Sequence, residues 1–169
     1  MSLDITLITK EPITEESSGI FIRENGATIE ISAKEWNKRN PDRQIEEEIQ
    51  TFDTYEAFST NITHNLGRMA SEAGFYDAIW RPYRLNPDYN IEKGDYDAEY
   101  EFESKLEIKA KDIISNIEEG LIELKNNTKH YKMFSSKNGW GTYEQFVPFV
   151  EEYLKALKEY PEAEVRCDR

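Results

Sequence analysis

Residues 2–9, Ser-Leu-Asp-Ile-Thr-Leu-Ile-Thr, set the character of the fold. Leu3, Ile5 and Leu7 alternate with Asp4 and Thr6, the two-residue period of a strand with one buried face. A matching alternation closes the chain, where Ala163, Val165 and Cys167 interleave with Glu164 and Arg166. Laid side by side, these strands bring both termini into one sheet. Between them the apolar period becomes helical. Ala110, Ile113, Ile114, Ile117, Leu121 and Leu124 form a stripe opposed by Lys111, Ser115, Glu118 and Glu119. A second stripe, Tyr143, Phe146, Val147, Val150, Leu154 and Leu157, follows Thr142 and Gln145, whose spacing is that of a capping box. Pro148 predicts a kink near Glu144, whose carbonyl loses its partner.

Working outward, Ile20–Arg23 and Thr28–Ser32 are β-branched runs around Asn25-Gly26, a pair suited to a tight hairpin turn. Lys10–Ser18 reads as a loop. The intervals 34–58 and 83–104 carry weak periodicity and read as insertions, the second as a loop or edge hairpin rich in tyrosine and acid. The expectation is one α+β domain over 1–169: a small, mainly antiparallel sheet made of the N-terminal strand, the hairpin and the C-terminal strand, packed on three to four helices.

Composition narrows the partners. A net charge of −13 disfavours direct nucleic-acid binding, which needs clustered Lys and Arg against phosphate. The single cysteine, Cys167, has no partner for an internal disulfide. With no secretory or membrane-spanning run in the sequence, this points to a cytoplasmic protein without a membrane partner. Asn61-Ile62-Thr63 and Asn126-Asn127-Thr128 match a glycosylation pattern that has no role in that compartment.

The densest chemistry lies in NITHNLGRMASEAGFYDAIWRP, residues 61–82. Ile62, Leu66, Met69 and Ala73 fall at helical spacing, and Asn61, Asn65, Arg68 and Glu72 form a polar stripe beside them with His64 at its edge. Gly74 stands where a helix closes, and a short helical turn carrying Phe75, Tyr76, Ile79 and Trp80 follows, ended by Arg81-Pro82. Asparagine, histidine, arginine and tryptophan together can recognise a polar planar ligand by stacking and directed hydrogen bonds. Trp140, in the connector Asn138-Gly139-Trp140-Gly141, offers an opposite wall. The candidate ligand-binding residues are therefore Asn61, His64, Asn65, Arg68, Tyr76, Trp80, Arg81 and Trp140. The plainer alternative makes Asn61 a cap, pairs Arg68 with Glu72 and places both tryptophans in the core.

Other chemistries find less in the sequence. Only His64 and His130 could serve as imidazole bases, and no serine lies in a nucleophile motif. Asp88–Glu99 resembles a calcium loop with its glycine one position late. No glycine-rich phosphate loop occurs. The sequence gives no reason to expect a metal or cofactor.

The segments 61–82 and NGWGTYEQFVPFVEEYLKALKEYPEAEV at 138–165 resemble a family of small bacterial and phage proteins to which no activity is assigned. That resemblance implies an intracellular accessory protein with an α+β domain, carried on mobile DNA; residues 10–58 and 83–107 lie outside it. The functional expectation is non-enzymatic binding of a small polar, nucleotide-like ligand. Two alternatives stand beside it. One is an acidic antagonist of a basic protein, an immunity protein or nucleic-acid mimic using 46–48 and 88–103; the other is an enzyme built on His64.

Overall fold

The computed structural model describes residues 2–24 and 27–169. The Asn25-Gly26 turn therefore lies outside the described residues. The chain divides into two compact units, one of residues 1–10 and 56–169, the other of residues 11–55.

The strand read at the N-terminus forms as β1 (Ser2–Ser17), whose residues to Lys10 belong to the larger unit, and there β5 (Glu164–Asp168) pairs antiparallel beside it, Ile5 opposite Cys167 and Leu7 opposite Val165. β4 (Gln50–Thr63) flanks β1 on the other side, giving the order β4-β1-β5. Asp4 lies beside Asn61 and Thr14 beside Asp53, so early β1 meets late β4 and the two run antiparallel. Leu3, Ile5 and Leu7 have no exposed surface, as the alternation requires. Removing each such side chain from water contributes roughly 1.5–3 kcal/mol.

Two 17-residue helices, α5 (Ala110–Asn126) and α7 (Tyr143–Glu159), supply most of the remaining core. Their stripes are buried much as the sequence indicates, except that Ile114 and Val147 are half-buried while Phe149 and Tyr153 go inside. Gly120 lets α5 approach Phe75 closely: a Cβ there would overlap the ring. α7 runs unbroken with Pro148 inside it. Shorter helices complete the unit: α2 (Gly67–Glu72), α3 (Tyr76–Trp80), α4 (Tyr96–Ser104) and α6 (Thr128–Lys132). Gly74, at φ +79°, follows α2 in the left-handed conformation expected of a closing residue.

Three local expectations need correction. The loop read at 10–18 is strand as far as Ser17. The loop or edge hairpin read at 83–104 contains α4, which starts where the Asp95 side chain accepts from the Ala98 N–H at 3.1 Å. The helix read from Asn61 begins later. Asn61, Ile62 and Thr63 belong to β4, a 3-10 turn spans His64–Leu66, and α2 starts at Gly67. Two consecutive β-branched residues, Ile62 and Thr63, suit the strand, and it is Thr63, not Asn61, whose side chain accepts the following N–H of Asn65.

The smaller unit contains the antiparallel pair β2 (Phe21–Glu24) and β3 (Ala27–Glu30) and the helix α1 (Ala33–Arg39) capped by Ser32. Ser17 and Ser18 hydroxyls both donate to the Glu30 carboxylate, at 2.7 and 2.9 Å. Among its described residues Ala33 alone is buried, while Phe21, Ile45, Ile49, Phe52 and Tyr55 are exposed.

Candidate functional site

A groove of about 370 Å3 opens between the turn after β4 and the connector before α7. Asn61, Ile62, Thr63 and Leu66 line one side, Gly139, Trp140 and Gly141 another, and Gln145 and Phe149 of α7 complete it. This is the low end of the roughly 300–1,000 Å3 usual for small-molecule sites, enough for one ring-sized group.

The connector is built by short-range bonds that follow from its residue types. Asn138 Oδ1 accepts from the Trp140 N–H at 3.0 Å and from the Ser136 hydroxyl. Gln145 Oε1 accepts from the N–H groups of Gly141 and Thr142 at 3.1 and 3.0 Å, which realises the expected cap of α7. Ser135 Oγ accepts from the Tyr143 N–H at 3.0 Å. Gly141 sits at φ +93°, and a Cβ there would approach Asn65 Cβ at 3.0 Å, Thr63 Cγ2 at 3.1 Å and Leu66 Cγ at 3.2 Å. Only glycine fits both the backbone angle and this approach. Asn65 then ties the two segments together, its Nδ2 donating to the Trp140 carbonyl at 2.9 Å.

These bonds leave the Trp140 side chain in water, 71% exposed, on a well-bonded loop. They also orient Gln145. Because its oxygen takes both backbone N–H groups, its Nε2 is left as a donor with no partner among the described residues. Asn61 Nδ2 donates to the Asp4 carboxylate, which leaves Asn61 Oδ1 as an acceptor. The groove therefore presents an indole, an apolar wall, an amide donor, an amide acceptor and the Thr63 hydroxyl.

Of the residues read from the sequence, Asn61 and Trp140 line this groove and Asn65 secures it. The others lie elsewhere. Trp80 is 0% exposed, with Tyr76 stacked on it at a centroid distance of 5.1 Å, so it offers no face to a ligand. His64 is half-buried in an edge-type contact with the Trp80 ring, and its Nδ1 is buried without a partner among the described residues. It forms no base–nucleophile pair through that nitrogen. Arg68 lies over the Phe134 ring at 5.1 Å instead of pairing with Glu72. Thr63, Gln145 and the apolar wall of Ile62, Leu66 and Phe149 were absent from the sequence-derived set. Gln145 was visible only as a cap, and that cap is what aims its amide.

Arg81 belongs to a separate cluster around Glu99, which sequence reading missed. Glu99 is 4% exposed. Arg81 reaches it at 3.1 Å, Arg84 Nε at 2.9 Å and the Tyr89 hydroxyl at 2.6 Å. Burial acts to raise the Glu99 pKa, but the bonds from Tyr89 and Arg84 and the charges of Arg84 and Arg81 more than offset it and hold the carboxyl below its ordinary value. Glu99, which a calcium loop would use as a ligand, is thus fully engaged. Among the described residues no group of three His, Cys, Asp or Glu could hold a metal ion.

A larger depression, about 530 Å3, runs along β5, but its Arg166 and Arg169 are held by Glu164 and Glu103. Cys167 also lines it. Burial pushes its thiol up to about 12, and its Sγ lies 3.5 Å from the Ile79 carbonyl. No described helix is long and apolar enough to cross a membrane. Comparison with protein-family models, curated proteins and solved structures finds no match to this chain.

Proposed function

We propose that this is a non-enzymatic binding protein for a small polar, planar ligand that stacks on Trp140 in the groove between residues 61–66 and 139–149. The observation that carries this reading is the exposed indole on a connector held by Asn65, Asn138 and Gln145, beside the Gln145 amide donor and the Asn61 amide acceptor. Leaving a tryptophan 71% exposed forgoes the burial that its size would otherwise bring. Fixing its loop with the bonds made by Asn65, Asn138, Gln145 and Ser135 lowers the ordering cost of binding. Such a part suits the accessory role implied by the resemblance to bacterial and phage proteins. A thermal-shift screen against nucleosides, nucleotides and polar metabolites tests it. The expected result is stabilisation of the wild type by one compound class and none of a Trp140→Ala variant. A flat response across the panel, or equal shifts in both proteins, contradicts it.

A second reading has its own support. Glu46, Glu47 and Glu48 are exposed between exposed Ile45 and Ile49, an acidic and apolar surface suited to a basic protein partner. The other acidic stretch contributes less, because Glu99, Glu101 and Glu103 are paired within the chain. Salt-sensitive capture of a basic partner that is lost when Glu46–Glu48 are changed to glutamine supports this reading; capture unchanged by those substitutions removes it.

A further inference from the structure

We infer that the groove beside Trp140 takes an uncharged heteroaromatic ring, a nucleobase or free nucleoside, and discriminates against the phosphorylated forms. The inference rests on the reading of this groove as the ligand site.

Its ground is the charge of the wall and the state of the nearby backbone donors. Charged residues make up 33% of the chain, yet none of the groove-lining residues is Asp, Glu, Lys or Arg. The formal charge tied to the groove by a hydrogen bond is negative: the Asp4 carboxylate, held by Asn61. Two cations of neighbouring helices are occupied, Arg68 over Phe134 and Lys132 with Glu144 at 2.8 Å.

A helix N-terminus can bind phosphate without any cation, through its free N–H groups. The start of α7 and its glycine connector would be the place, and there the donors are spent. Trp140 N–H goes to Asn138, Gly141 and Thr142 N–H to Gln145, and Tyr143 N–H to Ser135. A phosphate in the groove would meet no cation among the lining residues and none of these four backbone donors open, within the field of a protein of net charge −13; Lys137 of the connector stands outside the lining.

The shape of the polar groups favours a ring with apolar faces and a polar edge. Trp140, Ile62, Leu66 and Phe149 provide apolar contact, and the polar groups are few: the Gln145 amide donor, the Asn61 acceptor and the Thr63 hydroxyl. A nucleobase has two π faces and an in-plane edge of mixed donors and acceptors, the pattern that glutamine and asparagine read. A saccharide carries hydroxyls around its whole rim and would leave more of them without protein partners.

The test is calorimetric titration of the full chain at physiological salt with adenosine, guanosine, cytidine and uridine, each matched to its 5′-monophosphate, and with a neutral oligosaccharide. At least one nucleoside should bind about tenfold or more tightly than its monophosphate, and Trp140→Ala should weaken it by about tenfold while Trp140→Phe retains most of the affinity. Circular dichroism of both variants confirms that the fold persists. A monophosphate binding as tightly as its nucleoside overturns the inference and leaves the groove reading standing. So does a saccharide that binds in a Trp140-dependent way when no nucleoside does. No Trp140-dependent binding by any of these probes overturns the inference, and a flat metabolite screen in addition removes the groove reading itself.

Discussion

Asn65 and Trp140, 75 residues apart in the chain, are joined by a 2.9 Å hydrogen bond from the Asn65 side-chain amide to the Trp140 carbonyl. It fixes the connector against the turn after β4 and thereby sets one wall of the groove. Since Asn65 is itself exposed, the bond serves the position of Trp140 more than the stability of the fold.

Asn65→Ala should therefore separate binding from folding. Ligand affinity falls about two- to tenfold as the connector loosens, in line with one net hydrogen bond of about 0.5–1.5 kcal/mol, while the thermal midpoint moves by only a few degrees. Titration and melting of the same variant check both halves.

Gly141→Ala should damage both. The substitution forces an L-residue into φ +93° and presses its methyl on Asn65, Thr63 and Leu66. A loss of about 1–3 kcal/mol in denaturant unfolding is expected, together with loss of ligand binding. Wild-type stability in this variant would show that the connector is not held as described.

Glu99→Ala should be among the most damaging single changes outside the apolar core, because it leaves Arg81, Arg84 and Tyr89 without their shared acceptor. The cost lies near the lower end of about 3–5 kcal/mol, since the two arginine side chains keep 25% and 28% of their surface in water. The pH dependence follows from the depressed folded-state pKa of Glu99. Its stabilisation is fully present above the unfolded carboxyl value of about 4.3 and is lost as pH falls through the lower folded value. Acid titration of stability should show a steeper decline below about pH 4 in the wild type than in Glu99→Gln.

Cys167 should resist thiol reagents in the folded protein at neutral pH, since burial holds its thiol at about 12. Reaction of the native chain with a disulfide reagent should be much slower than that of the unfolded chain. Immediate full modification in buffer contradicts the placement of Cys167 against Ile79.

The elements legible in the sequence are those with one strongly buried face. Leu3, Ile5 and Leu7 alternate because one side of β1 meets the core, and the α5 and α7 stripes are likewise core contacts. β1 beyond Lys10 hid from the same reading, for its side chains are exposed or half-buried on both faces and leave no alternation. α4 hid for a related reason: it exposes Tyr96 and Tyr100, and its one buried residue, Glu99, is a charge held by partners 10 to 18 residues earlier. Periodicity cannot report such a pairing.

The candidate site divided along similar lines. The helical spacing of Ile62, Leu66, Met69 and Ala73 does mark buried residues, all at most 9% exposed. A strand passing into a 3-10 turn buries positions four apart much as a helix does, so the spacing alone mistook the element. Trp80 and Trp140 look alike as residue types. Their difference lies in neighbours: apolar Ala78 and Ile79 carry Trp80 into the core, whereas Gly139 and Gly141 hold Trp140 out.

The most direct test of the central claim is a nitrogen–proton correlation spectrum of the labelled chain during titration with the nucleoside that binds best. The Trp140 indole N–H, assigned through Trp140→Phe, and the Gln145 and Asn61 side-chain amides should shift together and saturably, with the indole of Trp80 little changed. Saturable shifts that bypass Trp140, Gln145 and Asn61, or a spectrum unmoved by every nucleoside and metabolite tried, would contradict a ligand site in this groove.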